Sequence, residues 1–190
     1  PLLQGGGRKG LPKSFLNRFT CIYLDSLLPA DYSIICKGLY PRVHADLIDK
    51  MVSFTTEISN AISTGQIGRL GTPWEVNLRD IYRWIELIDK NGLSLQEGAS
   101  ILFGCRFRSA VDLAFVNSAL GNSLALPSID YEISSEFLRI GSFSFPIPSL
   151  LQSAVVCANL ANIPQLHALS ACISNGWLGI LVGDHNSGKS

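Results

Sequence analysis

Between about residues 30 and 120 the apolar positions return every three or four residues, the period of a helix with one buried face. In "HADLIDKMVSFTTEISNAI" the residues Leu47, Met51, Phe54, Ile58 and Ile62 share such a face, and in "VNLRDIYRWIELIDKNG" so do Leu78, Ile81, Ile85 and Ile88. Asn91-Gly92 supplies a C-terminal stop for the second of these. Pro29 stands near the N-terminus of an earlier helix running to Tyr40, and "SLQEGASILFGCRF" and "SAVDLAFVNSAL" predict two more. Ahead of this helical block, a glycine-rich loop, "PLLQGGGRKGLPKS", leads to "FTCIYLD", Phe19 to Asp25, where β-formers alternate and predict a short strand.

The period changes near "GNSLALPS", which places a domain boundary at about 120 to 128. Beyond it "YEIS", "FLRIG" and "FSFPIP" are short β-type pieces, with Pro146 and Pro148 ending the run. "SLLQSAVVCANLAN" and "PQLHALSACISNG" read as helices, and "WLGILVG" as an apolar strand of the kind buried in parallel sheets.

Composition narrows the class. The chain has 190 residues, 47% hydrophobic and 16% charged, enough to build a real core. Fifteen basic and fifteen acidic residues cancel, so the overall charge points to no direct nucleic-acid site and no anionic membrane surface. No run reaches the roughly 20 apolar residues of a membrane span. Cys21, Cys36, Cys105, Cys157 and Cys172 are widely spaced without CxxC pairs and read as buried thiols of a reducing compartment. His44, His167 and His185 lack a second ligand at metal-binding spacing. With no initiator Met, the chain is expected to be an internal piece of a longer polypeptide.

The candidate chemistry lies in "GDHNSGKS", which fits the phosphate-loop pattern G-x-x-x-x-G-K-[ST] directly after a predicted strand. Gly183, Asp184, His185, Asn186, Ser187 and Gly188 would curl backbone N–H groups around an anion. Lys189 would reach the β- and γ-phosphates, and the Ser190 hydroxyl would join a Mg²⁺ shell. Asp184 and His185 put an acid and a bulky ring where phosphates approach, and Asn186 occupies a place where glycine often relieves a positive φ.

Two arginine settings stand out. Arg18, in "SFLNRFT", sits at the end of a short helical stretch, where a guanidinium aimed outward can stabilise a phosphoryl group in transfer; such an arginine is also a common surface residue. Arg79 and Arg83, in "NLRDIYRW", are four apart on one helix face. They fit a phosphate-sensing role or a solvated surface paired with Asp80 and Glu86.

With "GGGRKGLPKSFLNRFT", "IYLD", "EVNLRDIYRWIEL" and "ISNGWLGILVGDHNSGKS" in view, the chain resembles the AAA+ ATPases and, within them, the dynein-related midasin family, whose members carry six tandem modules on one polypeptide. The resemblance implies an α/β P-loop NTPase fragment, mostly α-helical lid followed by the β-rich opening, helices and first core strand of a second module. Residues 1–28 would then be the C-terminal part of one AAA+ core, 29–122 its helical lid, and 123–190 the next module as far as its Walker A loop. Arg18 would be the arginine finger and Arg79 the sensor-2 arginine.

ATP and Mg²⁺ are the implied cofactors, and adjacent AAA+ modules of the same chain the implied partners. The family resemblance further implies a nuclear (nucleolar and nucleoplasmic) machine that strips assembly factors from pre-60S ribosomal particles. No Walker B acidic pair occurs in these 190 residues, so they are expected to be inactive alone. A catalytically silent module pair serving as a spacer, or another dynein-related or MoxR-like protein with a different client, fits the same residues.

Overall fold

In a computed structural model, the described residues are 12–20, 22, 24–70, 75–121, 129–147, 162–183 and 185. A four-residue helix, α1 (Lys13–Leu16), precedes the helical block α2 (Pro29–Leu39), α3 (Ala45–Ser63), α4 (Leu78–Asn91), α5 (Leu95–Leu102) and α6 (Ala110–Ala119), with a 3-10 turn at Gly104–Arg106 after α5. A three-stranded antiparallel sheet, β1 (Tyr131–Ile133), β2 (Phe137–Ile140) and β3 (Phe143–Pro146), and a last helix, α7 (Ile163–Ser174), complete the described structure.

Three of the helices, α4, α5 and α6, begin where the side-chain oxygen of Asn77, Ser94 or Ser109 accepts from a free N–H of the first turn. Ser94 Oγ accepts from the Glu97 N–H at 3.2 Å while Glu97 Oε2 accepts from the Ser94 N–H at 2.9 Å, a reciprocal cap for α5. Gly92 ends α4 in the left-handed region, φ 66°, where its own N–H and that of Leu93 reach back to Ile88 and Leu87 carbonyls.

The predicted faces meet in one core. Ile48, Met51 and Ile58 of α3 are fully buried together with Ile81, Trp84, Ile85 and Leu87 of α4. Phe54, Trp84 and Phe103 stack edge-on, with ring centroids 5.2 to 5.5 Å apart, a geometry that sets positive ring edges against negative faces. The Trp84 indole donates to the Leu95 carbonyl at 3.0 Å, so its one polar atom is satisfied inside.

The sheet joins this core rather than standing apart. Its register pairs Tyr131 with Ile140 and Leu138 with Phe145, and alternation turns Ile140 and Phe143 inward. Phe143 of β3 and Ala171 of α7 belong to the same buried cluster as Trp84 and Phe103. Cys105 Sγ in the 3-10 turn lies 3.5 Å from the Pro164 carbonyl, which docks that turn on the start of α7.

Among the described residues, two predicted strands are not formed. Phe19 to Asp25, as far as it is described, pairs with no strand, and Phe19, Ile22 and Leu24 are exposed. "WLGILVG" runs without strand pairing from Trp177 to Gly183, leaving Leu178 86% and Ile180 80% exposed. A strand exists only through a ladder, and the described residues hold no neighbour to pair with either segment. The helix expected in "SLLQSAVVCANLAN" and most of the 120 to 128 boundary lie outside the described residues.

Candidate functional site

Arg79 and Arg83, four residues apart on α4, have different surroundings. Arg83 is half-buried, its guanidinium 5.4 Å from the centroid of the Trp177 ring, so it fastens α4 to the segment after α7. Arg79 is exposed in the first turn of α4. Its N–H donates to Asn77 Oδ1 at 3.0 Å, while Asp80 Oδ2 accepts from the Asn77 N–H at 3.1 Å. The helix end that presents Arg79 is thereby closed by a reciprocal cap.

The pairing of Asp80 and Glu86 with Arg79 and Arg83, one of the two readings open from the sequence, is not what the fold makes. Asp80 is buried, 4% exposed, and is bridged by Arg106 of the 3-10 turn; Glu86 pairs one turn along its own helix with Lys90 at 3.1 Å. Buried at the cap, the Asp80 carboxylate accepts from the Asn77 N–H and is neutralised by the Arg106 guanidinium.

Beside the start of α4 lies a small cleft of about 180 Å³, lined among others by Leu27 and Pro29, Tyr32 of α2, Thr55 and Asn60 of α3, and Val76 and Asn77. Pockets that enclose a whole drug-sized ligand run to about 300–1,000 Å³. This cleft is smaller than that. Arg79 follows Asn77, one of the lining residues, by two positions and is exposed.

Arg18 follows the short α1, whose last turn is closed by the Asn17 N–H to Lys13 and the Arg18 N–H to Phe15, and its side chain is exposed. The structure does not bring it into contact with Arg79. Of the phosphate loop, Gly183 and His185 are described and both are exposed; Asp184, Asn186, Ser187, Gly188, Lys189 and Ser190 lie outside the described residues.

Other chemistry finds little support. Cys36, Cys105 and Cys172 are free, and burial pushes the Cys36 and Cys105 thiols up to about 11, which keeps them protonated near neutral pH. Among the described residues no group of three His, Cys, Asp or Glu side chains is placed to hold a metal ion, and none of the described helices is long and apolar enough to cross a membrane. His44 caps α3, its Nδ1 3.4 Å from the Asp46 N–H, and His167 is buried against the β2–β3 turn.

Residues 31–127 match the family of the midasin AAA lid domain, the span that contains most of α2, all of α3 to α6, the Asn77–Asp80 cap and Arg79. The chain belongs to the midasin family. Midasin of Dictyostelium discoideum is 34% identical over the whole of this chain, and midasin of Giardia intestinalis is 30% identical over the same extent. The chain spans 4% and 5% of the lengths of these two relatives. The five helices are thus a midasin-type AAA+ lid, and the small sheet with α7 is consistent with the start of a following module.

Of the midasin lid residues that shape this site, the cap could be read from sequence: Asn77-x-x-Asp80 ahead of an apolar stripe is a recognisable helix start. Arg106 could not be, since nothing local links it to an aspartate 26 residues earlier.

Proposed function

We propose that this chain is part of an ATP-hydrolysing AAA+ remodelling machine that acts in the nucleus to remove assembly factors from pre-60S ribosomal particles. The observation that carries the nucleotide-dependent part is the capped start of α4, where the exposed Arg79 donates its N–H to Asn77, a residue of the cleft wall.

In this reading residues 29–122 are a lid on the nucleotide of the module that ends here, and 123–190 begin the next module. ATP with Mg²⁺ supplies the phosphoryl group that is transferred to water. The cleft takes an uncharged part of the nucleotide, and Arg79 senses its phosphates from the lid. Arg18, outside the lid and exposed after α1, acts as a finger on nucleotide held by an adjacent module. Gly183 to Ser190 cradle the phosphates of the following site, with Lys189 and Ser190 in the roles that the phosphate-loop pattern assigns them. Because Arg18 and Arg79 lie on different elements, hydrolysis changes the angle between lid and core, and that motion drives the client.

The full-length protein carrying Arg18→Ala tests this. Hydrolysis at the site that Arg18 faces should slow by up to about 10³-fold while ATP binding is retained. An unchanged steady-state rate returns Arg18 to an ordinary surface residue and removes the finger from the mechanism.

A further inference from the structure

Arg79 is exposed and flexible in principle, yet the turn that presents it is held from below. Asp80, its neighbour, uses one carboxylate oxygen to accept from the Asn77 N–H at 3.1 Å and the other to accept from the Arg106 guanidinium. Asn77 in turn receives the Arg79 N–H at 3.0 Å. Arg106 is also fixed: it lies 5.4 Å from the centroid of the buried Phe103 ring, and its own N–H donates to the Phe103 carbonyl at 3.0 Å. The adjacent Cys105 touches the Pro164 carbonyl of α7.

We infer that Arg106 is a positioning residue for Arg79: through Asp80 and the Asn77 cap it sets the orientation of the lid end that meets nucleotide, and it does so from the turn that is docked on α7. This rests on the functional reading of Arg79 above. A helix end free to fray would present Arg79 in many orientations, and the entropy of ordering it would be charged against binding. The Arg106–Asp80 bridge removes that freedom beforehand. Because the bridge and the α7 contact share one 3-10 turn, movement of the unit after the lid is felt at the nucleotide end of α4.

The test is a double-mutant cycle in the full-length protein, read as the dissociation constant of a fluorescent ATP analogue and the KM for ATP at the class of sites that Arg79→Ala weakens. Arg79→Ala should raise both by about tenfold to a hundredfold, the worth of a hydrogen bond to a charged group. Arg106→Gln should raise them similarly, the double variant should be no weaker than the worse single one, and Arg106→Lys should recover most of the loss. Asp80→Asn keeps an acceptor for the Asn77 N–H while releasing Arg106, and should repeat the pattern should Arg106→Gln unfold the lid. Effects that multiply in the double variant overturn this inference alone, because Arg106 then supports only the fold. Unchanged affinity in Arg79→Ala overturns it together with the functional reading.

Discussion

His167 is 4% exposed, its Nε2 has no hydrogen-bond partner, and it fills the space above Gly141, where a Cβ would come within 2.6 Å of that nitrogen. From the sheet it faces Gly141 and the Phe143 ring, the two rings' centroids 5.5 Å apart; from α5 the Glu97 carboxylate acts on it. Burial lowers its pKa below the ordinary 6.5, and Glu97 raises it by less. The sign follows: above about pH 6.5 both folded and unfolded chains hold His167 neutral, and below it the unfolded chain takes up the proton first. Stability should therefore fall as pH drops below 6.5, with a slope of at most about 1.4 kcal/mol per pH unit for one proton. Urea midpoints between pH 7.5 and 5 should show this decline, and His167→Leu should flatten it. Glu97 titrates in a separate window: the Ser94 hydroxyl and N–H hold its carboxyl below 4.5, so its share is lost only under stronger acid. In sequence His167 was one of three histidines without a metal partner; that it is a packed knob required knowing what lay opposite.

At the scale of elements, α5 shows how a local preference yields to packing. Gly98 lies inside this eight-residue helix, where alanine would ordinarily gain about 1 kcal/mol. A Cβ there would stand 2.5 Å from Cδ1 of Trp84, whose ring is fully buried and anchored through its N–H to Leu95. Gly98→Ala should destabilise the protein by about 1–3 kcal/mol in chemical denaturation, the overpacking cost exceeding the propensity gain. An unchanged or higher midpoint would mean that the indole shifts freely. The helices of the lid were legible where they carry local evidence: a stripe at three and four residues in α3 and α4, a cap such as Asn77 or Ser94, a stop such as Gly92. "FTCIYLD" and "WLGILVG" carry equally clear β patterns and form no strand among the described residues, because a strand's hydrogen bonds belong to its neighbour.

For the molecule as a whole, one buried cluster runs from Cys36 of α2 to Ala171 of α7 across the change in sequence pattern near residue 120. Phe143 and Ala171 enter it, and Phe145, Ala168 and Trp177 pack against it. A polypeptide of residues 29–121 alone should consequently be less stable than one of residues 29–183. Urea denaturation of the two should show a lower midpoint for the shorter chain; equal midpoints would show that the lid owes nothing to the following segment. The change of period at 120 marks a change of architecture, and the continuity of packing across it is a tertiary fact.

By itself the sequence determined the helical lid, its caps and the phosphate-loop pattern, since each of these is written in residues within a few turns of one another, and it determined the family through a match that runs along the chain. The tertiary structure alone decided that Arg79 is presented and Arg83 is stacked on Trp177, that Asp80 belongs to Arg106 rather than to its helical neighbours, and that His167 closes over Gly141. Those pairings join residues from 26 to 94 positions apart, and distances of that kind are set by how faces meet in a core, which no local period encodes.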